Sequence, residues 1–163
     1  MEKKFKDLEK TINYNFKKDS LLKAALTHKS LDNLQNNEKL EFLGDRVLGL
    51  VISQRLLEKF PDEKEGIIDK KFANLVNKKT CSLIAKKIQL HKYILLGPSH
   101  KKMERSDKKI SSDCLEALVG AIYLDSNLKT VEKIIYLLWE EQLLKSTITM
   151  IDPKTKLQEY SLK

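Results

Sequence analysis

The chain has 163 residues, 41% of them hydrophobic, which is enough for one domain with a core and too few for two full-sized domains. Only five Gly and three Pro leave little turn material, which disfavours an all-β sandwich or barrel and predicts an all-α fold. Lys and Arg number 31 against 23 Asp and Glu, and the net charge of +8 favours an anionic partner, either nucleic acid or an acidic membrane surface.

Apolar residues recur at helical spacing in six segments, so α-helices are predicted to begin near residues 21, 37, 67, 79, 110 and 131. Asp19 and Ser20 are expected to cap the first of these helices. Asn36 and Asn37 are expected to cap the second. The second helix should be long and end near Phe60, because the proline that follows disfavours helical geometry in the residue before it.

The helix that begins near residue 79 is expected to turn Leu83, Ile84 and Ile88 towards the core. Residues 99–109 lack apolar periodicity and are predicted to form a solvated loop. Neither a signal peptide nor an apolar run long enough to cross a membrane is recognisable. The two cysteines fit no metal or disulfide pattern, so we expect buried free thiols in a cytoplasmic protein.

Two predicted helices each carry acidic side chains on one face. Glu38, Glu41 and Asp45 lie at positions i, i+3 and i+7 of the second helix. Asp113 and Glu116 lie at i and i+3 of the helix that begins near residue 110. Like charges this close repel each other unless a cation neutralises them. Ligands that are all oxygen favour a hard ion such as Mg²⁺ or Mn²⁺ over zinc.

Two other uses of these acids compete with a metal site. The first is a solvated acidic helix face, but the acids alternate with apolar residues that should be at least half buried. Gly44 lies among them, and a glycine inside a helix costs about 1 kcal/mol relative to alanine, which is often accepted where another backbone or subunit comes close. The second is a di-iron bundle, which would need Glu-x-x-His pairs that are absent here.

The charges are distributed unevenly along the chain. Residues 37–63 contain four Lys or Arg against six Asp or Glu, a net charge of −2, whereas residues 64–109 contain 13 against four, a net charge of +9. An enzyme that holds cations and also binds a polyanion would use both segments. Phosphodiester hydrolysis by two divalent ions about 4 Å apart accounts for this combination.

Residues 37–45, with the sequence NEKLEFLGD, resemble the signature motif of the ribonuclease III family. Further family motifs follow at compatible spacing, and the resemblance extends from about Leu8 to the end of the chain. The matching segments are residues 26–30 (LTHKS), 65–66 (EG), 74–76 (NLV), 83–85 (LIA) and 113–125 (DCLEALVGAIYLD).

The resemblance implies the all-helical endonuclease domain of that family, acting as a homodimer with two active sites that each cut one strand of double-stranded RNA. Products would carry 5′-phosphate and 3′-hydroxyl ends with a short 3′ overhang, as in the processing of ribosomal or messenger RNA. The duplex would be recognised by its shape and phosphates. Lysine pairs at 70–71, 78–79 and 86–87 recur every eight residues and indicate either RNA contacts or a solvated face.

The resemblance also assigns roles to individual residues. Glu41, Asp45, Asp113 and Glu116 would hold the catalytic Mg²⁺, for which Mn²⁺ would substitute. Asp45 and Glu116 would be catalytic, with Glu116 mattering most. His28 of the LTHKS motif is expected to have a structural hydrogen-bonding role.

Three further residues match the family outside that set. Glu38 and Glu65 would support the site or contact RNA. Phe42 would insert into the partner subunit, which would also account for Gly44. Arg46 departs from the family pattern and is expected to pair with an acid.

Residues 1–150 are therefore predicted to form the catalytic domain, and residues 151–163 the linker and start of a truncated double-stranded-RNA-binding domain. Without the rest of that domain, we expect weak and salt-sensitive RNA binding. Two alternatives are a non-catalytic RNA-binding or ribosome-assembly protein, which should have lost metal-binding acids, and a small helical interaction domain whose charges form surface ion pairs.

Overall fold

The computed structural model describes residues 3–98 and 107–146, which form seven α-helices and no strand. A 3-10 turn at Leu90–Lys92 and an isolated parallel bridge between Thr27 and Leu95 complete the described backbone. The predicted all-α fold is confirmed. The helices are α1 (Lys3–Ile12), α2 (Asp19–Leu26), α3 (Glu38–Lys59), α4 (Glu65–Val76), α5 (Lys78–Lys87), α6 (Lys108–Asp125) and α7 (Leu128–Lys145).

Helix α6 lies at the centre of the domain. Most of its residues are buried, including the unbroken run from Cys114 to Ile122. Helices α2, α3, α5 and α7 all pack on it, and α3 makes its most extensive contact. The acids of α6 therefore lie largely in the protein interior rather than on a solvated face. A buried polar side chain needs a partner that compensates for the loss of water.

The ends of α3 confirm one prediction and refine another. The helix ends at Lys59, with Phe60 in the C-cap position, as the following proline predicts. At its start, the side chain of Asn36 accepts a hydrogen bond from the Glu38 amide at 3.0 Å. Asn37 instead turns inward, and its amide nitrogen donates to the Cys114 sulfur at 3.3 Å. Asn37 is thus the N-cap residue, but its side chain fastens α3 to α6, and the side chain of Asn36 satisfies the first helix amide instead.

Four expectations need correction. Asp19 and Ser20 lie inside α2 rather than before it, and Lys18 occupies the N-cap position without a side-chain hydrogen bond. Leu83 is 50% exposed, because a helix turns adjacent residues about 100° apart and Ile84 takes the inward position. Residues 108 and 109 begin α6 and do not belong to a loop. Helix α1 was not predicted, although Phe5, Leu8 and Ile12 are spaced as a buried helical face.

Other predictions about single side chains hold. Both cysteines are buried and free. His28 has the expected structural role, since its Nδ1 lies 2.8 Å from the Ser30 hydroxyl and accepts from the Ser30 amide. Lys71 contradicts both uses predicted for the lysine pairs, because it is buried and donates to the Ser146 carbonyl at 2.6 Å. Within residues 3–98 and 107–146, no helix is long and apolar enough to span a membrane.

Asp125 at the end of α6 fastens the chain that follows α1. Its carboxylate accepts hydrogen bonds from the Tyr14 hydroxyl at 2.6 Å and from the amides of Lys17 and Lys18 at 2.8 and 3.0 Å. Burial alone would raise the pKa of Asp125, but these donors outweigh it and the pKa lies below the usual value of 3.8. The ionised form therefore stabilises the folded state.

We expect Asp125→Asn to lower the free energy of unfolding by about 1–3 kcal/mol at pH 7, because an amide cannot accept all three bonds as a carboxylate does. The wild-type advantage should be present above pH 3.8 and be lost as the pH falls through the lower folded-state pKa. Urea unfolding of both proteins between pH 3 and 7 measures this. Asp69→Asn, at an exposed carboxylate of α4, is the matched control and should change little.

Candidate metal centre

Two glycines bring α3 and α6 together at the site. A Cβ atom placed on Gly44 would lie 1.7 Å from the carbonyl oxygen of Glu116 and 2.9 Å from the amide nitrogen of Gly120. A Cβ atom on Gly120 would lie 2.3 Å from the carbonyl oxygen of Leu40. The helix backbones are thus in direct contact, which side chains would prevent. The unusual Gly44 is explained by a second backbone of the same chain, not by a partner subunit.

This close crossing makes carboxylates from both helices converge. One oxygen from each of Glu41, Asp113 and Glu116 lies within 4.8 Å of the other two. Glu116 is only 7% exposed, and Glu41 is partly buried. Helix α3 supplies Glu41 one turn before its glycine, and α6 supplies Glu116 one turn before Gly120. The i+3 pair of α6 therefore meets one of the three predicted acids of α3, Glu41.

Burial and mutual repulsion make this cluster costly to ionise. Burial raises the pKa of Glu116 to about 7, and the neighbouring carboxylates, Asp45 foremost, add to the effect. Burial, reinforced by the charge of Asp113, also raises the pKa of Glu41. A cation at the cluster would favour the ionised forms. An all-oxygen donor set of this charge fits a hard divalent ion such as Mg²⁺ or Mn²⁺.

Asp45 and Glu38 line a cavity together with Glu41 and Glu116, but each of these two carboxylates is paired with a basic side chain. The cavity has a volume of about 660 Å³ and opens to solvent. Asp45 is about half exposed and accepts a hydrogen bond at 3.0 Å from Arg46, which also lies over the Phe42 ring. Glu38 pairs with Lys29 at 2.9 Å. The predicted pairing of Arg46 with an acid is confirmed, and Asp45 stands beside the three converging carboxylates rather than among them.

The two remaining predicted residues lie elsewhere. Glu65 is the first residue of α4, is exposed and is not part of the cavity wall. Phe42 stands at the cavity edge and is 63% exposed. Leu50 and Leu57 are also exposed. Leu50 follows Phe42 by eight residues and Leu57 follows Leu50 by seven, so all three lie on one side of α3. We refer to Phe42, Leu50 and Leu57 as the α3 apolar stripe.

Two residues at the site, Ser112 and Asn77, were not singled out by the sequence, and Lys78 was noted only as one of the lysine pairs. Lys78 reaches into the cavity, where its Nζ lies 3.3 Å from Asp113 Oδ1. Ser112 is fully buried, and its hydroxyl donates to Glu116 at 3.4 Å. Asn77 is the N-cap of α5 and also lines the cavity. Ser112 lies four residues before Glu116 and could have been recognised from helical spacing, whereas the other two come from a distant helix end.

Comparisons with known proteins identify the family of this chain. A family model described as Ribonuclease-III-like matches residues 18–143. Ribonuclease 3 of Pelagibacter ubique is 61% identical over 157 residues, which span 96% of this chain and 70% of that protein. Ribonuclease 3 of Aliivibrio fischeri is 44% identical over 165 residues, spanning 98% and 73%. The crystal structure of the ribonuclease III nuclease domain from Campylobacter jejuni matches with a TM-score of 0.82 at 38% identity, covering 92% of this chain and 99% of that one.

These findings define the class first: the chain is a hydrolytic enzyme, an endoribonuclease. Within that class it belongs to the ribonuclease III family, whose members act on double-stranded RNA.

Proposed function

We propose that the chain cleaves double-stranded RNA by divalent-metal catalysis, with Mg²⁺ as the ion and Mn²⁺ as a substitute. The observation that carries this proposal is the convergence of Glu41, Asp113 and Glu116 from two helices, beside a cavity that Glu41 and Glu116 line. When bound, such an ion supplies an activated water and stabilises the negative charge that develops at phosphorus. Products would carry 5′-phosphate and 3′-hydroxyl ends.

The residues of the chain would share the work as follows. Glu41, Asp113 and Glu116 would hold the cation, with Glu116 the residue on which turnover depends most. Asp45 would join them as a further ligand once its hydrogen bond from Arg46 is given up. Glu38 would support the rim of the site. For Glu65, its place outside the cavity wall favours contact with RNA over support of the metal.

Removing divalent ions is the direct test of this proposal. We expect long duplex RNA to stay intact with the protein in EDTA and to be cut when Mg²⁺ or Mn²⁺ is added. Adding Na⁺ that supplies the same total positive charge should not restore cleavage. Sequencing of the product ends would check the expected 5′-phosphates. Intact RNA at saturating protein and millimolar Mg²⁺ would refute the proposed chemistry. Cleavage that persists in EDTA would do so equally.

We also propose that the protein acts as a homodimer through the α3 apolar stripe. In a monomer the three large apolar side chains of the stripe would lie in water on one side of α3, and grouped apolar side chains of this kind mark contact surfaces. One Campylobacter jejuni structure of the nuclease domain concerns flexibility in the region involved in dimer formation of that protein. Ribosomal and messenger RNA as substrates, a cytoplasmic location and the assignment of residues 151–163, which lie outside the described residues, stay predictions.

Phe42→Ala is expected to raise the dimer dissociation constant at least tenfold, since truncating a buried aromatic side chain at an interface removes about 1.4 kcal/mol or more. Sedimentation equilibrium of the two proteins measures this. Leu137→Ala, at an exposed leucine of α7, is the control and should leave the constant unchanged. A wild-type protein that is monomeric at all concentrations would contradict the proposed dimer.

A further inference from the structure

Lys78 lies at a position where its charge is unfavourable for the helix. It is the first residue of α5, immediately after the N-cap Asn77, whose side chain accepts from the Thr80 amide. The first turn of α5 contains no acid, and a cation near a helix N-terminus opposes the helix dipole. The dipole of α5 therefore does not favour a lysine here, and what distinguishes Lys78 from the neighbouring Lys79 is its surroundings.

Those surroundings are the acidic cavity. Lys78 lines it together with Glu41, Asp45 and Glu116, and its Nζ lies 3.3 Å from Asp113 Oδ1. The lysine side chain is 61% exposed, whereas that of Asp113 is only 13% exposed. The lysine is thus far more exposed than the carboxylate that it contacts. Its ammonium group is accessible to a phosphodiester that binds at the cavity.

The Lys78 ammonium and a bound divalent ion would compete for the same carboxylate. A metal ion and the Lys78 ammonium would both draw on the negative charge of Asp113, and two cations at one carboxylate repel each other. Lys109 contacts the other oxygen of Asp113 at the longer distance of 3.8 Å, so this carboxylate keeps one cationic neighbour when Lys78 leaves. A displaced Lys78 has a flexible stem and an exposed position from which to reach a phosphate.

We propose that Lys78 is a phosphate-binding residue of this nuclease whose availability is controlled by the metal. Without the ion, its ammonium neutralises Asp113. With the ion in place, it is released and binds a phosphate of the RNA strand at the cavity. The inference rests on the proposed function. By linkage, metal and RNA then strengthen each other's binding through this one side chain.

The test compares Lys78→Met, which keeps most of the stem and removes the charge, with Lys79→Met. Lys79 is the neighbouring exposed lysine of the same helix turn and does not line the cavity. The first measurement is the Mg²⁺ concentration that gives half-maximal thermal stabilisation of the RNA-free protein. The second is kcat/KM for cleavage of a duplex RNA at saturating Mg²⁺.

We expect Lys78→Met to have opposite effects in the two measurements. The half-maximal Mg²⁺ concentration should fall about 3- to 10-fold, because a competing cation is gone. The value of kcat/KM should fall on the order of 10- to 100-fold, because a charged phosphate contact is lost. A purely structural lysine would weaken both properties together. Lys79→Met should change each by less than about twofold, and Lys78→Arg, which keeps the charge, should recover part of the cleavage.

Three results would overturn the inference while leaving the proposed function intact: cleavage by Lys78→Met at the wild-type rate, an unchanged Mg²⁺ requirement, or a higher one. If the wild-type protein itself shows no Mg²⁺-dependent cleavage, the proposed function fails first and this inference fails with it.

Discussion

Glu116→Gln is expected to lower the rate of duplex RNA cleavage by at least about 1,000-fold while leaving the metal-free protein as stable as the wild type or more stable. The loss follows from removing a charged ligand of the proposed metal, an interaction that contributes several kcal/mol to the transition state. The higher stability of the metal-free variant follows from the burial of this side chain. A side chain that is 7% exposed and surrounded by other carboxylates is unfavourable as an anion, and glutamine has nearly the same shape without the charge.

The stability difference should depend on pH in a defined direction. Because the pKa of Glu116 is raised from 4.5 to about 7, the folded state favours the protonated form. The stability that this group contributes is complete below pH 4.5 and is lost as the pH rises through 7. The loss is at most about 3 kcal/mol. Glutamine does not titrate, so the variant should not show it.

Thermal unfolding in EDTA at pH 5 and pH 8 measures this difference. Mg²⁺ added at pH 8 should stabilise the wild type strongly and the variant weakly, because the ion binds the ionised cluster. Glu140→Gln, at an exposed glutamate of α7, controls for the substitution itself and should alter neither stability nor cleavage. A Glu116→Gln protein that cuts RNA at a rate near that of the wild type would remove the residue from the proposed mechanism.

Much of this site follows from helical spacing alone. Acids three and seven residues apart share a helix face, and an apolar stripe opposite them fixes which way the face turns, so Glu41 could be expected to point into a site. The same argument covers Asp113 and Glu116. Helical spacing does not show that these two faces meet, because that depends on how α3 and α6 pack against each other. Gly44 hinted at a close backbone approach, but its partner Gly120 identifies the approach only once α3 and α6 are packed together.

Other features were beyond a local reading for physical reasons. The pairing of Arg46 with an acid was predicted, but that this acid is its neighbour Asp45 depends on rotamers that the cavity allows. The burial of Lys71 depends on the end of α7, a helix that is remote in sequence and offers it the Ser146 carbonyl. The wrong inward assignment of Leu83 arose because a short amphipathic helix with adjacent apolar residues has two nearly equivalent faces. Helix α1 is different, because the spacing of its buried Phe5, Leu8 and Ile12 is itself a helical signal.

Gly44→Ala should unfold or severely destabilise the protein, with a loss of about 3 kcal/mol or more in the free energy of unfolding. Overpacking a core usually costs about 1–3 kcal/mol when side chains can shift, and occasionally more. Here the obstacle is the Glu116 carbonyl oxygen, 1.7 Å from the added Cβ, and it belongs to a helix backbone that cannot turn aside locally. The two helices must move apart by more than an ångström, and their carboxylates must separate with them.

Gly49→Ala on the same helix is the matched control. Its Cβ would meet only the Phe72 ring, at an ordinary contact distance of 3.6 Å, so the better helix propensity of alanine should stabilise the protein by up to about 1 kcal/mol. Circular dichroism melting with and without Mg²⁺ compares the two variants. Any folded Gly44→Ala protein should have lost most of its Mg²⁺ stabilisation, because its cluster no longer closes around an ion.

The same variant separates the two explanations that the sequence left open for Gly44. If this glycine served a partner subunit, alanine would disturb the dimer and leave each protomer with its wild-type melting behaviour at low concentration. If it serves the contact between α3 and α6, the melting temperature falls at every concentration and metal stabilisation falls with it. The Gly44–Gly120 contact predicts the second result, since it lies within one chain and directly behind the converging carboxylates.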